Sequence, residues 1–335
     1  MSDGSMTSRL IARDGDGRVD LEADLSRVEA LIADPSTVFW LDIDDPGPDH
    51  GAALALLRDT FRFHPLAVDD ALNECHVPKV DDWGAYLYLV AQAIDPSADE
   101  LAFRELDVFL GPNYLLTYHS GPIDAIDSVR RDLARDVGGR LGRGADHLLY
   151  LVLDQAVGEY LAAIARLDDA IDRAQDEVFD APRPATLKEI FRIKRQAIQL
   201  HRMISPQREV VNRLARDHYA QIDDADRVYF RDVYDHHVRL HDIAESLRDL
   251  ISGALDTYLS ALSNRTNEVM KTLTFVTVMF LPMSFLAGFF GMNFFGEPLA
   301  FRALPPRGGL FWACCLAMGS TPVVIWIWAR RRGWF

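Results

Sequence analysis

Residues 272–291 read TLTFVTVMFLPMSFLAGFFG and carry no charged side chain. A helix of about 20 apolar residues, rising about 1.5 Å per residue, crosses a hydrocarbon core of roughly 30 Å. A second run, LFWACCLAMGSTPVVIWIWA at 310–329, has the same character. Each run holds one proline, Pro282 and Pro322, which membrane helices tolerate because neighbouring helices and water re-satisfy the freed backbone. Two uncharged runs of spanning length predict two transmembrane helices near the C-terminal end, in preference to a buried hairpin of a soluble fold.

The flanks of the two runs set the orientation. Arg265 and Lys271 precede the first, Arg330, Arg331 and Arg332 follow the second, and the segment between carries only Arg302 and Arg307. The basic excess assigns both outer flanks to the cytoplasm and turns loop 294–309 outward. Met1-Ser2-Asp3-Gly4 opens no basic-then-apolar pattern, so the large N-terminal part is expected in the cytoplasm. The three cysteines, Cys75, Cys314 and Cys315, form no C-x-x-C pair. That spacing excludes a zinc ribbon or disulfide framework and suits a reducing compartment. A formal net charge of -15 is the wrong sign for a nucleic-acid partner. An acidic excess fits a protein that handles cations but singles out none.

Upstream of the spans the chain changes character twice. VFWLDI (38–43), AYLYLVAQAI (85–94) and LDVFLGPNYLLTYH (106–119) are strand-like, while GAALALLRDTF (51–61) and HPLAVDDALN (64–73) have helical spacing, which predicts an α/β domain over 1–120. A helical region over 121–225 follows, with apolar periodicity in 145–180 and 185–218 broken at Ala181-Pro182-Arg183-Pro184. GGRLGRG (138–144) lacks the Gly-Lys-Ser/Thr ending of a phosphate loop and reads as a linker. From residue 226 onward only Gly253, Pro282 and Gly288 interrupt a helical pattern that reaches residue 290. A stalk helix over 226–271 is therefore expected to run straight into the first span, 272–291. An outer loop over 292–309, the second span over 310–329 and a basic tail over 330–335 complete the chain.

Alternating steps of four and three from Asp256 reach Ser260, Ser263, Asn267, Met270, Thr274, Thr277, Leu281, Ser284 and Gly288. A period of about 3.5 residues keeps one helix face on a shared axis. This face is small or polar, interrupted by Met270 and Leu281, where a dimeric coiled coil would carry Leu or Ile. It suits a water-filled path with apolar collars, and equally the close packing of membrane helices through small residues.

Directly after the first span stands Gly291-Met292-Asn293. By itself this triplet could be a helix-ending turn. Together with SNRTNEVMKTLTFVTVMFLPMSFLAGFFGMNF (263–294), YFRDVYDH (229–236), HPLAVDD (64–70) and VPKVDDW (77–83), it resembles the GMN signature and flanking pattern of the CorA family of divalent-cation channels. The resemblance implies an α+β membrane protein: an N-terminal αβα cytoplasmic domain, a long stalk helix continuous with the first transmembrane helix, and a funnel-shaped homopentamer. It implies a magnesium channel of a bacterial inner membrane with both termini cytoplasmic, able also to pass cobalt or nickel. Mg2+ would be both cargo and regulator, with no organic cofactor and no partner beyond lipid and further copies of the chain.

Residue by residue, the resemblance makes Gly291, Met292 and Asn293 the selectivity filter, where amide and carbonyl oxygens accept hydrogen bonds from a hydrated ion that sheds water slowly. Asp256 and Asn267 match polar positions facing the pore, and Met270, Leu273, Thr277 and Leu281 match its hydrophobic constriction, Thr277 standing where a small apolar residue is usual. Leu273 lies one step off the seam, and Thr274, Ser284 and Gly288 complete the lining. Asp70 and Asp232, with Asp69 adjoining, match a metal site between neighbouring subunits whose occupancy closes the pore. Glu297 is the one acid of an outer loop less acidic than the family pattern, and Arg330, Arg331 and Arg332 match a basic ring at the cytoplasmic mouth.

The rival within the superfamily is a zinc transporter, against which Met292 speaks. His236, His237 and His241 favour it, the last two being one helical turn apart. A non-conducting, membrane-anchored metal sensor is the alternative of another class. An enzyme is not expected, since the sequence shows no HExxH, no Walker loop and no nucleophile–base pairing.

Overall fold

The computed structural model describes residues 6–95, 98, 100–135, 139–180, 182–291 and 309–333. The chain divides into two compact units, Met1–Asp256 and Thr257–Phe335.

The first unit is built on a seven-stranded sheet. Its strands are β1 (Thr7–Arg13), β2 (Val19–Asp20), β3 (Val38–Asp44), β4 (Lys79–Asp82), β5 (Leu87–Ile94), β6 (Phe103–Leu110) and β7 (Tyr114–His119). They lie in the order β2-β1-β3-β7-β6-β5-β4. β3 and β7 pair in parallel with Phe39 opposite Tyr114, and the remaining neighbours are antiparallel. LDVFLGPNYLLTYH is thus a hairpin, not one strand. It turns at Gly111, where a Cβ would run into the Tyr114 ring, so only glycine fits the bend.

Strand alternation sorts the apolar side chains onto two faces. Phe39, Leu41 and Ile43 join Leu10, Tyr88, Phe109 and Leu116 in a core closed by Val28 and Leu31 of α1 (Val28–Ala33), Ala53 of α2 (Gly51–Ala55), and Ala67, Val68 and Ala71 of α3 (Pro65–Leu72). The stacked rings of Phe63 and Phe109, 4.1 Å apart, fill its centre. Pro65 opens α3 in the first turn and His64 Nδ1 accepts the Leu66 N–H at 3.3 Å, so one terminal donor is absent and another capped. The opposite face of the sheet carries α5 (Ala145–Asp180) and α6 (Pro184–Arg216). The Tyr160 hydroxyl donates to the Gln92 carbonyl at 3.0 Å, and Gln92 N–H donates to Gln207 Oε1 at 2.9 Å. α4 (Asp124–Arg135) packs on α5. α5 is apolar enough to cross a membrane, but half of its most hydrophobic window is buried, which marks it as a core helix. The layers are helix, sheet, helix.

On the α5 face, burying polar atoms requires that each find a partner. Trp40 Nε1–H donates to Thr117 Oγ1 at 3.0 Å, and the Thr117 hydroxyl donates to Asp42 Oδ1 at 2.7 Å. His119 reaches the same carboxylate with Nε2 at 3.1 Å and the Gly121 carbonyl with Nδ1 at 2.7 Å. Both imidazole nitrogens face acceptors, which favours the doubly protonated ring. Burial opposes that charge, yet the bond to Asp42 and the carboxylates of Asp42 and Asp44 outweigh it, and the His119 pKa is raised.

α7 (Arg227–Gly291) is a continuous helix of 65 residues, and α8 (Gly309–Arg331) one of 23. In the first unit α7 buries Phe230, Val233, Leu240, Leu247 and Ile251. Beyond the buried Tyr258 many of its large apolar side chains are bare: Val269, Leu281 and Phe285 are 62%, 65% and 68% exposed. α8 likewise exposes Trp312, Leu316, Val324 and Trp328. A surface this apolar demands cover by lipid or by further copies of the chain.

Thr117→Val removes the link between Trp40 and Asp42 and is expected to cost about 1–3 kcal/mol, read as a lowered thermal midpoint of the full chain in detergent. Because the folded-state pKa of His119 is raised, its contribution is fully present below the ordinary imidazole pKa and lost as pH rises through the folded value. The midpoint should therefore drop as pH rises above the ordinary imidazole range, with a shallower drop in His119→Gln.

Candidate functional site

Asp69 and Asp70 sit in the second turn of α3, and Asp232 in the second turn of α7. Asp69 is exposed and accepts a 2.9 Å bond from Asn73 Nδ2. Asp70 meets Lys79 of β4: Nζ donates to Asp70 Oδ2 at 2.5 Å and stands 3.0 Å from Asp81 Oδ2. Burial works against the ammonium, but bonds to both carboxylates outweigh it and hold the Lys79 pKa above the ordinary value. The same ammonium lies 5.1 Å from the centre of the Tyr88 ring. Among the described residues no hydrogen bond or ion pair joins Asp70 to Asp232.

Asp232 instead has company from its own chain. Its carboxylate, that of Asp154 on α5 and the imidazole of His236 lie with ligand atoms all within 4.8 Å of one another. Asp232 and His236 are one turn apart on α7, so both project from the same face. His236 Nδ1 is 3.7 Å from Asp154 Oδ1 and, although buried, bonds to no described atom. Burial raises the Asp154 pKa, partly offset by His236 and reinforced by the charge of Asp232. Two carboxylates and an imidazole with an unmet nitrogen form a donor set for a divalent cation. The oxygens suit Mg2+ through its water shell, and the imidazole suits Co2+ or Ni2+. Sequence reading alone had no signal for Asp154, which is brought in from 78 residues away by packing of α5 on α7.

His237, in contrast, is 1% exposed, hydrogen-bonds the Val233 carbonyl through Nδ1 at 2.9 Å and has its pKa lowered by burial to about 4. It is a packing residue. His241 faces the His201 ring at 5.0 Å. His237 Nε2 lies 3.5 Å from Gln207 Nε2, so both His237 nitrogens are engaged and the turn-apart pair His237–His241 offers no converging zinc geometry.

In the second unit, Asn267, Met270, Leu273, Thr274, Thr277, Leu281, Ser284 and Gly288 are all exposed on α7, as is Asp256 at the end of the first. A straight helix drifts about 20° per heptad from a 3.5-residue repeat, so these positions hold one broad face. Thr277 donates its hydroxyl to the Leu273 carbonyl at 2.9 Å, which leaves this position less polar than its formula. Gly291 is the last residue of α7, while Met292, Asn293 and Glu297 lie outside the described residues. Arg330 and Arg331 end α8. Arg330 lies 5.4 Å from the Trp326 ring and Arg332 5.8 Å from that of Trp328, cation–π contacts typical of aromatic and basic side chains at a membrane interface.

Comparison with known proteins gives this arrangement its context. The chain is 34% identical over 311 residues to the cobalt/magnesium transport protein CorA of Thermotoga maritima, covering 92% of this chain and 87% of the relative. It is 33% identical over 301 residues to the putative metal ion transporter YfjQ of Bacillus subtilis, covering 89% and 91%. Its backbone superposes on the complete structure of the CorA magnesium transporter from Methanocaldococcus jannaschii with a TM-score of 0.81, across 97% of this chain and 98% of that one at 24% identity. The family model described as CorA-like Mg2+ transporter protein matches residues 35–331. With strands β3 to β7, the long α7 and the Gly291-Met292-Asn293 triplet inside that match, the chain belongs to the CorA family of magnesium transporters.

Proposed function

We propose that the protein is a channel of a bacterial inner membrane that passes hydrated Mg2+, and secondarily Co2+, down its electrochemical gradient. Five copies of α7 would line the path, with both termini on the cytoplasmic side. The observation that carries this reading is the face of α7 from Asp256 to Gly288: polar or small apart from Met270 and Leu281, and exposed along its length. Five such faces around an axis enclose water. Met270, Leu273 and Leu281 form collars that dewet when the ring is narrow, and Asn293 rings the outer mouth. Carboxamide oxygens accept hydrogen bonds from the ion's water shell without removing it, and release the ion more readily than carboxylates would.

Closure is a linkage. A cation bound by Asp232, with Asp154 and His236 beside it and Asp70 contributed by the neighbouring copy, stabilises whichever arrangement holds those groups together. When cytoplasmic Mg2+ falls the ion leaves, like charges repel, and the ring loosens. The imidazole nitrogen of His236 supports Co2+ as a second regulatory ion.

Two measurements test this. In proteoliposomes holding a magnesium-sensitive dye, Asn293→Ala should reduce gradient-driven Mg2+ uptake at least about tenfold, as expected when a filter loses its oxygens. Uptake that requires a proton gradient, or zinc entry in place of magnesium, would overturn the channel reading. Asp232→Asn should raise the cytoplasmic-side Mg2+ concentration that halves uptake by about tenfold, the loss of roughly 1.4 kcal/mol of differential binding. An unchanged threshold removes Asp232 from the regulatory site.

A further inference from the structure

The Lys79 ammonium occupies the gap between two carboxylates, 2.5 Å from Asp70 Oδ2 and 3.0 Å from Asp81 Oδ2. That ammonium stands against the carboxylate oxygen that a cation binding Asp70 would need. We propose that Lys79 is a tethered competitor for the Asp70 carboxylate, that it moves wholly onto Asp81 when Mg2+ takes Asp70, and that this exchange sets the Mg2+ concentration at which the channel closes. The inference rests on the reading of Asp70 as a regulatory ligand.

The exchange is physically cheap in both directions. A lysine ammonium is a point charge on a flexible stem with three donors, so it can leave Asp70 without uncovering a buried charge, because Asp81 already holds it. The Lys79 and Asp70 side chains are 29% and 37% exposed, wet enough for the head to move yet not so wet that the pair is fully screened. The Tyr88 ring lies under the ammonium, and the ring's hydroxyl is anchored on the buried Asp107 at 2.5 Å, which keeps Lys79 near the pair in either state. With the lysine in place, one positive charge faces two negative ones. A doubly charged ion neutralises what the lysine cannot, so Mg2+ wins once it is concentrated enough. Asp81 tunes the contest: the more strongly it holds Lys79, the freer Asp70 is for metal.

A structural role for Lys79, pinning α3 to β4, predicts the opposite signs. Loosening α3 would spoil the metal site and raise the closing threshold, whereas removing a competitor lowers it. The test is Mg2+ uptake by the full chain in proteoliposomes at graded cytoplasmic-side Mg2+. Lys79→Met should lower the half-closing concentration about fivefold, the scale of one exposed ion pair. Asp81→Asn should raise it by a similar factor, since Asp70 then holds the lysine alone. Asp70→Asn should raise it too, and Lys79→Met in that background should add nothing. A threshold that is unmoved or raised in Lys79→Met, while Asp70→Asn still raises it, overturns the competitor and leaves Asp70 regulatory. No effect of Asp70→Asn overturns both. If Lys79→Met does not assemble, Asp81→Asn decides alone, and a lowered or unchanged threshold there sinks the proposal.

Discussion

In a hydrocarbon slab no peptide group can be left without a hydrogen-bond partner, because no water is there to replace it. Everything distinctive about this chain follows from that constraint acting on 272–291. The run must be helical, and the helix has no reason to stop at the membrane surface when the residues before it are also good helix formers. One uninterrupted α7 results, from Arg227 to Gly291. A helix in lipid tolerates an apolar surface all round, so a face of Ser, Thr, Asn and Gly has to be explained by what it meets. Among the described residues this face stays exposed, which is what the proposed ring of copies would cover.

Much of the architecture was legible because its elements are long or strongly patterned. The breaker Ala181-Pro182-Arg183-Pro184 separates α5 ending at Asp180 from α6 starting at Pro184. VFWLDI falls within β3. What escaped was short or ambiguous. TSRLIAR, now β1, carries three polar positions at its exposed start and no turn signal as strong as proline. KVDD, now β4, is a four-residue edge strand whose charges follow from its position, since edge strands discourage further pairing through charge. The hairpin at Gly111 looked like one strand because both arms are apolar and almost wholly buried.

The candidate site divides along the same line. Asp70, Asp232 and the α7 face are visible in sequence as a resemblance or a period. Asp154 is not, because its meeting with Asp232 and His236 depends on how two long helices pack, and no local pattern records that. His237 shows the converse. Its spacing from His241 suited a metal, yet burial and the Val233 carbonyl engage it. A ligand needs a free lone pair, and spacing alone does not say which nitrogens are free. Lys79 is a case of charge arrangement that sequence cannot reveal: its i+2 neighbour Asp81 is near in the chain, but Asp70 comes from a different element.

The parallel join of β3 to β7 carries a consequence for how the first unit comes to exist. Phe39 and Tyr114 are paired across 75 residues, whereas β1–β3 and β4–β7 each close through contacts much nearer in sequence. Pairings that distant must bear a large loop-closure entropy before they return any stabilisation. The two halves can therefore form as separate local assemblies, and the sheet becomes whole only when β3 docks along β7. The Trp40–Thr117–Asp42–His119 chain of hydrogen bonds straddles that seam. Its bonds cannot form one by one along the chain, so they act as a latch that rewards the docking of β3 along β7.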